Sequence, residues 1–114
     1  MKLPHLENLL VPKAKITEYL LSDTHKTGKH KAVFFKHFGF SQDEWEVLAQ
    51  ALSQHAQIHE VTTTQDTRFG VHYVVEGELE TPLGRRPRVR VVWAIDYEAD
   101  IPRLISAYPL DEEE

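Results

Sequence analysis

The sequence predicts an α+β domain in which two or three N-terminal helices pack on one face of a four-stranded antiparallel meander sheet. Apolar residues recur at helical spacing up to about residue 57 and alternate after it, where β-branched residues also become dense. The links between the alternating segments are too short for crossover helices, so neighbouring strands run antiparallel. With 114 residues, 41% hydrophobic and 27% charged, the chain holds one core, and residues 1–110 form a single domain.

Residues 3–11 contain Pro4 and mixed polarity, and read as an arm or short extended segment. Ile16, Tyr19 and Leu20 recur at helical spacing behind Pro12 and Lys13, which predicts a first helix over 13–22. The small polar run from Ser22 to Gly28 is a loop. A second helix, 29–38, should stop at Gly39, the residue type that most readily ends a helix in a left-handed conformation. Ser41 with Glu44 makes a capping box for a third helix, 42–57, whose stripe is Trp45, Leu48, Ala49, Leu52 and Ala56. Strands follow at 58–66, 71–80, 87–96 and 103–108, turning at 68–70, 82–84 and 98–100.

The central hairpin has a register that can be derived. Val71, Tyr73, Val75 and Leu79 must share a face with Val89, Val91, Trp93 and Ile95, which sets Val75 opposite Val91 and Tyr73 opposite Trp93. The same pairing lines up Glu80 with Arg86, Glu78 with Arg88 and Glu76 with Arg90 on the other face. Most of the chain's one arginine cluster is thereby assigned to structure, and Arg85, in the turn, remains available to bind a substrate.

Thirteen Lys and Arg against eighteen Asp and Glu give a formal charge of −5, much of it in the tail Asp111, Glu112, Glu113, Glu114, which reads as disordered. A strongly basic nucleic-acid binder is disfavoured. The absence of cysteine removes disulfides, thiol nucleophiles and Cys-ligated zinc. Together with the lack of a membrane-length apolar run or a signal-peptide core, it predicts a cytoplasmic chain that does not enter a membrane. His25 and His30 lie across a loop–helix junction, and His55 and His59 straddle the end of the third helix. Neither pair has the further ligand that zinc chemistry uses, so no metal and no cofactor are expected.

The segment around the second helix is the most informative. Phe34, Phe35 and Phe38 fall on one face with Lys31 between them, in a first turn where the helix dipole disfavours a cation. Such a lysine either serves a function or extends its stem to solvent from the helix end. Lys29 and His30 flank it as candidate substrate-binding groups, and His25 stands in the loop before it.

Tyr19-Leu20-Leu21, His25, Gly28, Lys31-Ala32, Phe34-Phe35 and Gly39-Phe40, followed by Thr81-Pro82-x-Gly84, Trp93 and Ala107-Tyr108-Pro109, resemble a family of small bacterial proteins of unknown function. More distantly, the helix–meander order and the His-x-x-Gly-x-x-Lys-Ala string are similar to the barnase–EndoU–colicin–RelE class of ribonuclease toxins. That resemblance implies a ribonuclease-like toxin module of a toxin–antitoxin type system, cleaving RNA without metal and neutralised by a cognate antitoxin. It marks His25, Lys31, Ser106 and Tyr108 as catalytic candidates. The alternative is a noncatalytic protein-interaction domain that uses a sheet edge and the acidic tail. Exposed first and last strands leave room for a partner strand or a homodimer.

Overall fold

The computed structural model describes residues 1–26 and 28–110, and the predicted acidic tail, 111–114, lies outside them. Its helical part begins with a short 3₁₀ turn, Leu6–Asn8. Helix α1 follows as one α turn, Lys13–Lys15, that widens into a π-helical turn, Ile16–Leu20. Helices α2 (Lys29–His37) and α3 (Trp45–Ile58) come next. Strands β1 (Val61–Asp66), β2 (Gly70–Glu78), β3 (Arg88–Asp96) and β4 (Arg103–Pro109) form one antiparallel sheet in sequence order.

The helices cover one face of that sheet, α2 lying against β4 and α3 against β2. Val75, Val89, Val91, Trp93, Leu104 and Ala107 meet Ile16, Leu20, Phe35, Leu48, Leu52 and Ala56 in one core, all at most 1% exposed. Tyr73 is partly buried against it. The central hairpin has the expected register throughout, including Tyr73 opposite Trp93 and Val75 opposite Val91.

Several boundaries move, for local reasons. The first helix ends at Leu20 because the Leu21 N–H bonds back five residues to the Ile16 carbonyl at 2.8 Å, fitting an extra residue into the turn. The predicted capping box forms by half. The Ser41 hydroxyl accepts the Glu44 N–H at 3.3 Å, but the helix begins only at Trp45. Ile58 reads as the start of a strand and instead completes α3, whose last turn closes with the His59 N–H on the His55 carbonyl at 3.1 Å. α2 ends as expected before Gly39, whose φ of 103° is open to glycine at little strain.

The N-terminal arm is more structured than its composition suggests. Leu3 is buried, and Leu10 forms a parallel bridge with Arg103, exchanging backbone hydrogen bonds with Pro102 and Leu104 at 2.8 and 3.0 Å. The outer edge of β4, expected to be open, is therefore closed where the strand begins.

On the open face of the sheet, Glu76 and Arg90 meet at 2.6 Å and Glu80 and Arg86 at 3.4 Å. Glu78 and Arg88 are opposite in register, yet among the described residues they do not close to an ion pair. A double-mutant cycle on Glu76→Gln and Arg90→Gln should give a coupling of about 1 kcal/mol, and the same cycle at Glu78 and Arg88 close to none. Equal couplings measured by urea denaturation would show that register alone, without contact, carries the interaction.

Candidate functional site

The site is built where the N-terminus of α2 meets the outer strand β4, and Tyr19 is its hub. The π turn of α1 carries Tyr19, whose hydroxyl lies 3.1 Å from the Ser106 hydroxyl on β4. Its ring packs edge-on against His25 at 4.8 Å between centroids. Lys31 Nζ sits 5.5 Å from the same ring and 5.7 Å from that of Tyr108, so the ammonium is held between two aromatic faces. Each such contact stabilises a cation by about 0.5–1 kcal/mol at an exposed position, and by more where water is excluded. Lys15 adds a second ammonium 5.2 Å from the Tyr19 ring.

Ser106 and Tyr108 are two residues apart on β4, opposite Val92 and Arg90, and so project from the open face of the sheet. The Arg90 guanidinium lies 5.8 Å from the Tyr108 ring and bonds Glu76 at 2.6 Å. The hydrogen bond to Glu76 first, and the neighbouring Tyr108 second, raise its pKa further above the ordinary arginine value, so it is a permanent cation. A row of alternating rings and charges thus crosses from helix to sheet: Tyr19, Lys31, Tyr108, Arg90 and Glu76. An open groove of about 380 Å³ adjoins Lys31 and Tyr108 of this row, its other lining residues being His30 and Pro109.

The loop before α2 is folded tightly enough to fix His25. The Ser22 hydroxyl accepts the backbone N–H groups of Thr24 and His25 at 3.3 and 3.2 Å. His25 Nδ1 then accepts the Gly28 N–H at 2.9 Å, which in the neutral ring assigns the proton to Nε2. Gly28 is needed here because a Cβ would stand 2.3 Å from the Tyr19 carbonyl oxygen. The Gly28 carbonyl in turn receives the Ala32 N–H at 2.9 Å, starting α2.

Of the residues singled out from sequence, His25, Lys31 and Ser106 contact Tyr19, Tyr108 joins them through Lys31, and His30 lines the groove beside Lys31. Lys29 is exposed at the first position of α2. Arg85 lies elsewhere, with its guanidinium 5.8 Å from the ring of Phe38, two turns further along α2. Tyr19 and Arg90 were not foreseen, because Tyr19 reads as part of an apolar stripe and Arg90 as one rung of an ion-pair ladder. Among the described residues no group of three or more His, Asp or Glu side chains is arranged to hold a metal ion. No helix there is long and apolar enough to cross a membrane.

The arrangement offers the Lys15, Lys31 and Arg90 cations, an imidazole oriented by the Gly28 N–H, and the hydroxyls of Tyr19, Ser106 and Tyr108, next to one open groove. It is suited to an anion carrying groups that exchange protons.

Among solved structures, the fold resembles a chain of a contact-dependent growth inhibition toxin–immunity protein complex from Klebsiella pneumoniae 342. The TM-score is 0.71 at 17% identity, covering 95% of this chain and 98% of that one. At that identity the likeness is one of fold. No curated protein matches the sequence. A family model described as a domain of unknown function, DUF6883, matches residues 2–111, and the chain belongs to that family.

Proposed function

We propose that this domain is the toxin module of a bacterial toxin–antitoxin type system and cleaves RNA without a metal ion. The observation that carries the reading is the single contact set of Tyr19, which joins His25, Lys31 and Ser106 beside an open groove. The fold it shares with a chain of a toxin–immunity protein complex supports a toxin held in check by a cognate protein.

In the proposed reaction the RNA 2′-hydroxyl attacks the neighbouring phosphorus, giving up its proton to a base, while the 5′-oxygen leaves and takes a proton from an acid. A cyclic phosphate and a free 5′-hydroxyl result. His25 is the group assigned to this proton transfer, its ring oriented by the Gly28 N–H on Nδ1. Lys31 and Arg90 oppose the charge that grows on the phosphorane, and the Tyr19, Ser106 and Tyr108 hydroxyls orient the phosphate. Lys15 and Lys31, both against Tyr19, provide local positive potential on a chain whose overall charge is negative.

Expression of the wild type and of a His25→Ala/Lys31→Ala variant in bacteria, with growth and total RNA followed, tests this. Growth arrest and RNA loss should require both residues. With purified protein in EDTA, Lys31→Ala alone should slow cleavage about a hundredfold. Intact RNA and equal growth from a folded, soluble wild type would sink the enzyme and favour a noncatalytic protein-interaction domain.

A further inference from the structure

At the far end of the open face a second hollow, of about 220 Å³, is lined by residues that include Phe69, His72, Ala94, Asp96 and Arg103. His72 pairs with Ala94, and Ala94 with Arg103, so the three side chains form one row across β2, β3 and β4. Asp96 holds the Arg103 guanidinium at 3.2 Å. Phe69, in the β1–β2 turn, is 70% exposed, although an apolar ring of that size gains by burial. The Arg68 guanidinium lies 5.5 Å from its face. The turn itself is rigid. The Thr67 hydroxyl accepts the N–H groups of Phe69 and Gly70, and Tyr97 from the neighbouring turn donates to the Thr67 carbonyl at 3.1 Å.

An exposed ring on a braced turn, beside guanidinium and imidazole groups, has the chemistry of a nucleotide subsite, with the ring stacking a base and the Arg103 guanidinium facing its phosphate. Arg103 lies opposite Ala94 and Tyr108 opposite Arg90, four residues apart on β3, so the two stand about 13 Å apart along the strand, with Ser106 between them on the same face. The two hollows are therefore the ends of one track, spaced for several nucleotides and not for one.

We infer that the Phe69–His72–Arg103 hollow binds a nucleotide of single-stranded RNA several positions from the scissile bond, which sets a minimum substrate length. The inference rests on the ribonuclease reading of the Tyr19 site and adds a substrate requirement to it.

Fluorescence anisotropy with a 2′-O-methyl RNA decamer, which cannot be cleaved through its 2′-oxygen, measures the footprint. Phe69→Ala and Arg103→Gln should each weaken decamer binding at least about fivefold, and Arg103→Gln should also lower the salt slope by about one. Binding of a 2′-O-methyl dinucleotide, too short to span the track, should not change. Both side chains are exposed, and either variant alone carries the test. If the decamer binds these variants as tightly as wild type while Lys31→Ala weakens it, the subsite is wrong and the Tyr19 site stands. If wild type binds no decamer and cleaves no RNA, both are overturned together.

Discussion

Replacing Trp93 by alanine should destabilise the fold by about 3–5 kcal/mol, measured by urea denaturation. The indole has no solvent exposure and lies on the central strand β3, between Tyr73 of β2 and Leu104 of β4, under the helical layer. No neighbour can collapse into its volume without shifting a strand, so most of the cavity should remain. One term works against the loss. Among the described residues the buried indole N–H has no hydrogen-bond partner, and its removal relieves a desolvated donor, which places the expected value toward the lower end of that range. Trp93→Phe separates the two effects, since it keeps a ring and discards the orphan donor, and it should cost less than half as much. A Trp93→Ala loss under about 1 kcal/mol would mean that β3 presents its other face to the helices.

The position of Trp93 was readable in the sequence because strand alternation is a strong local rule. The Val-rich face required a shared burial side, and the register it set also brought the glutamates opposite arginines. The candidate site was readable only in pieces. His25 and Lys31 stood out as local anomalies, a polar loop and a charge in a phenylalanine stripe. Tyr19 did not, because Ile16, Tyr19 and Leu20 satisfy ordinary α-helical spacing and nothing local announces the π turn. Its contact with Ser106 spans 87 residues, beyond the reach of any periodicity argument. The place of Arg85 was illegible for a similar reason. The β2–β3 turn folds back onto the end of α2, where Pro82 and Leu83 crowd Gly39, and this brings the guanidinium over Phe38. The Leu10 bridge to β4 was equally invisible, since one bridge leaves no alternation to read.

Acid should weaken the fold through His55 in a window where carboxylates contribute little. This side chain, on the inner face of α3, is 1% exposed, and its Nε2 lies 3.2 Å from the Gly77 carbonyl, which makes it the donor. Nδ1 is buried and has no hydrogen-bond partner among the described residues. Burial, and secondarily the His59 ring at 4.6 Å, lower the imidazole pKa from the ordinary 6.5 to about 4, and the nearby Gly77 and Val89 carbonyls do not offset this. The folded protein therefore refuses a proton that the unfolded chain accepts. Above pH 6.5 both states are neutral at this ring, and stability is fully present. As pH falls from 6.5 towards 4 the unfolded chain is favoured by about 1.4 kcal/mol per unit, approaching roughly 3 kcal/mol near pH 4. His55→Gln retains a donor for Gly77 and does not titrate, so its stability should be nearly flat over that window, whatever the change in its absolute value. Urea denaturation of both proteins at intervals between pH 4 and 7.5 gives the comparison. The same slope in wild type and variant would assign the acid sensitivity to other groups. A flat profile in the variant would identify His55, at the α3–β2 contact, as the source of the acid sensitivity.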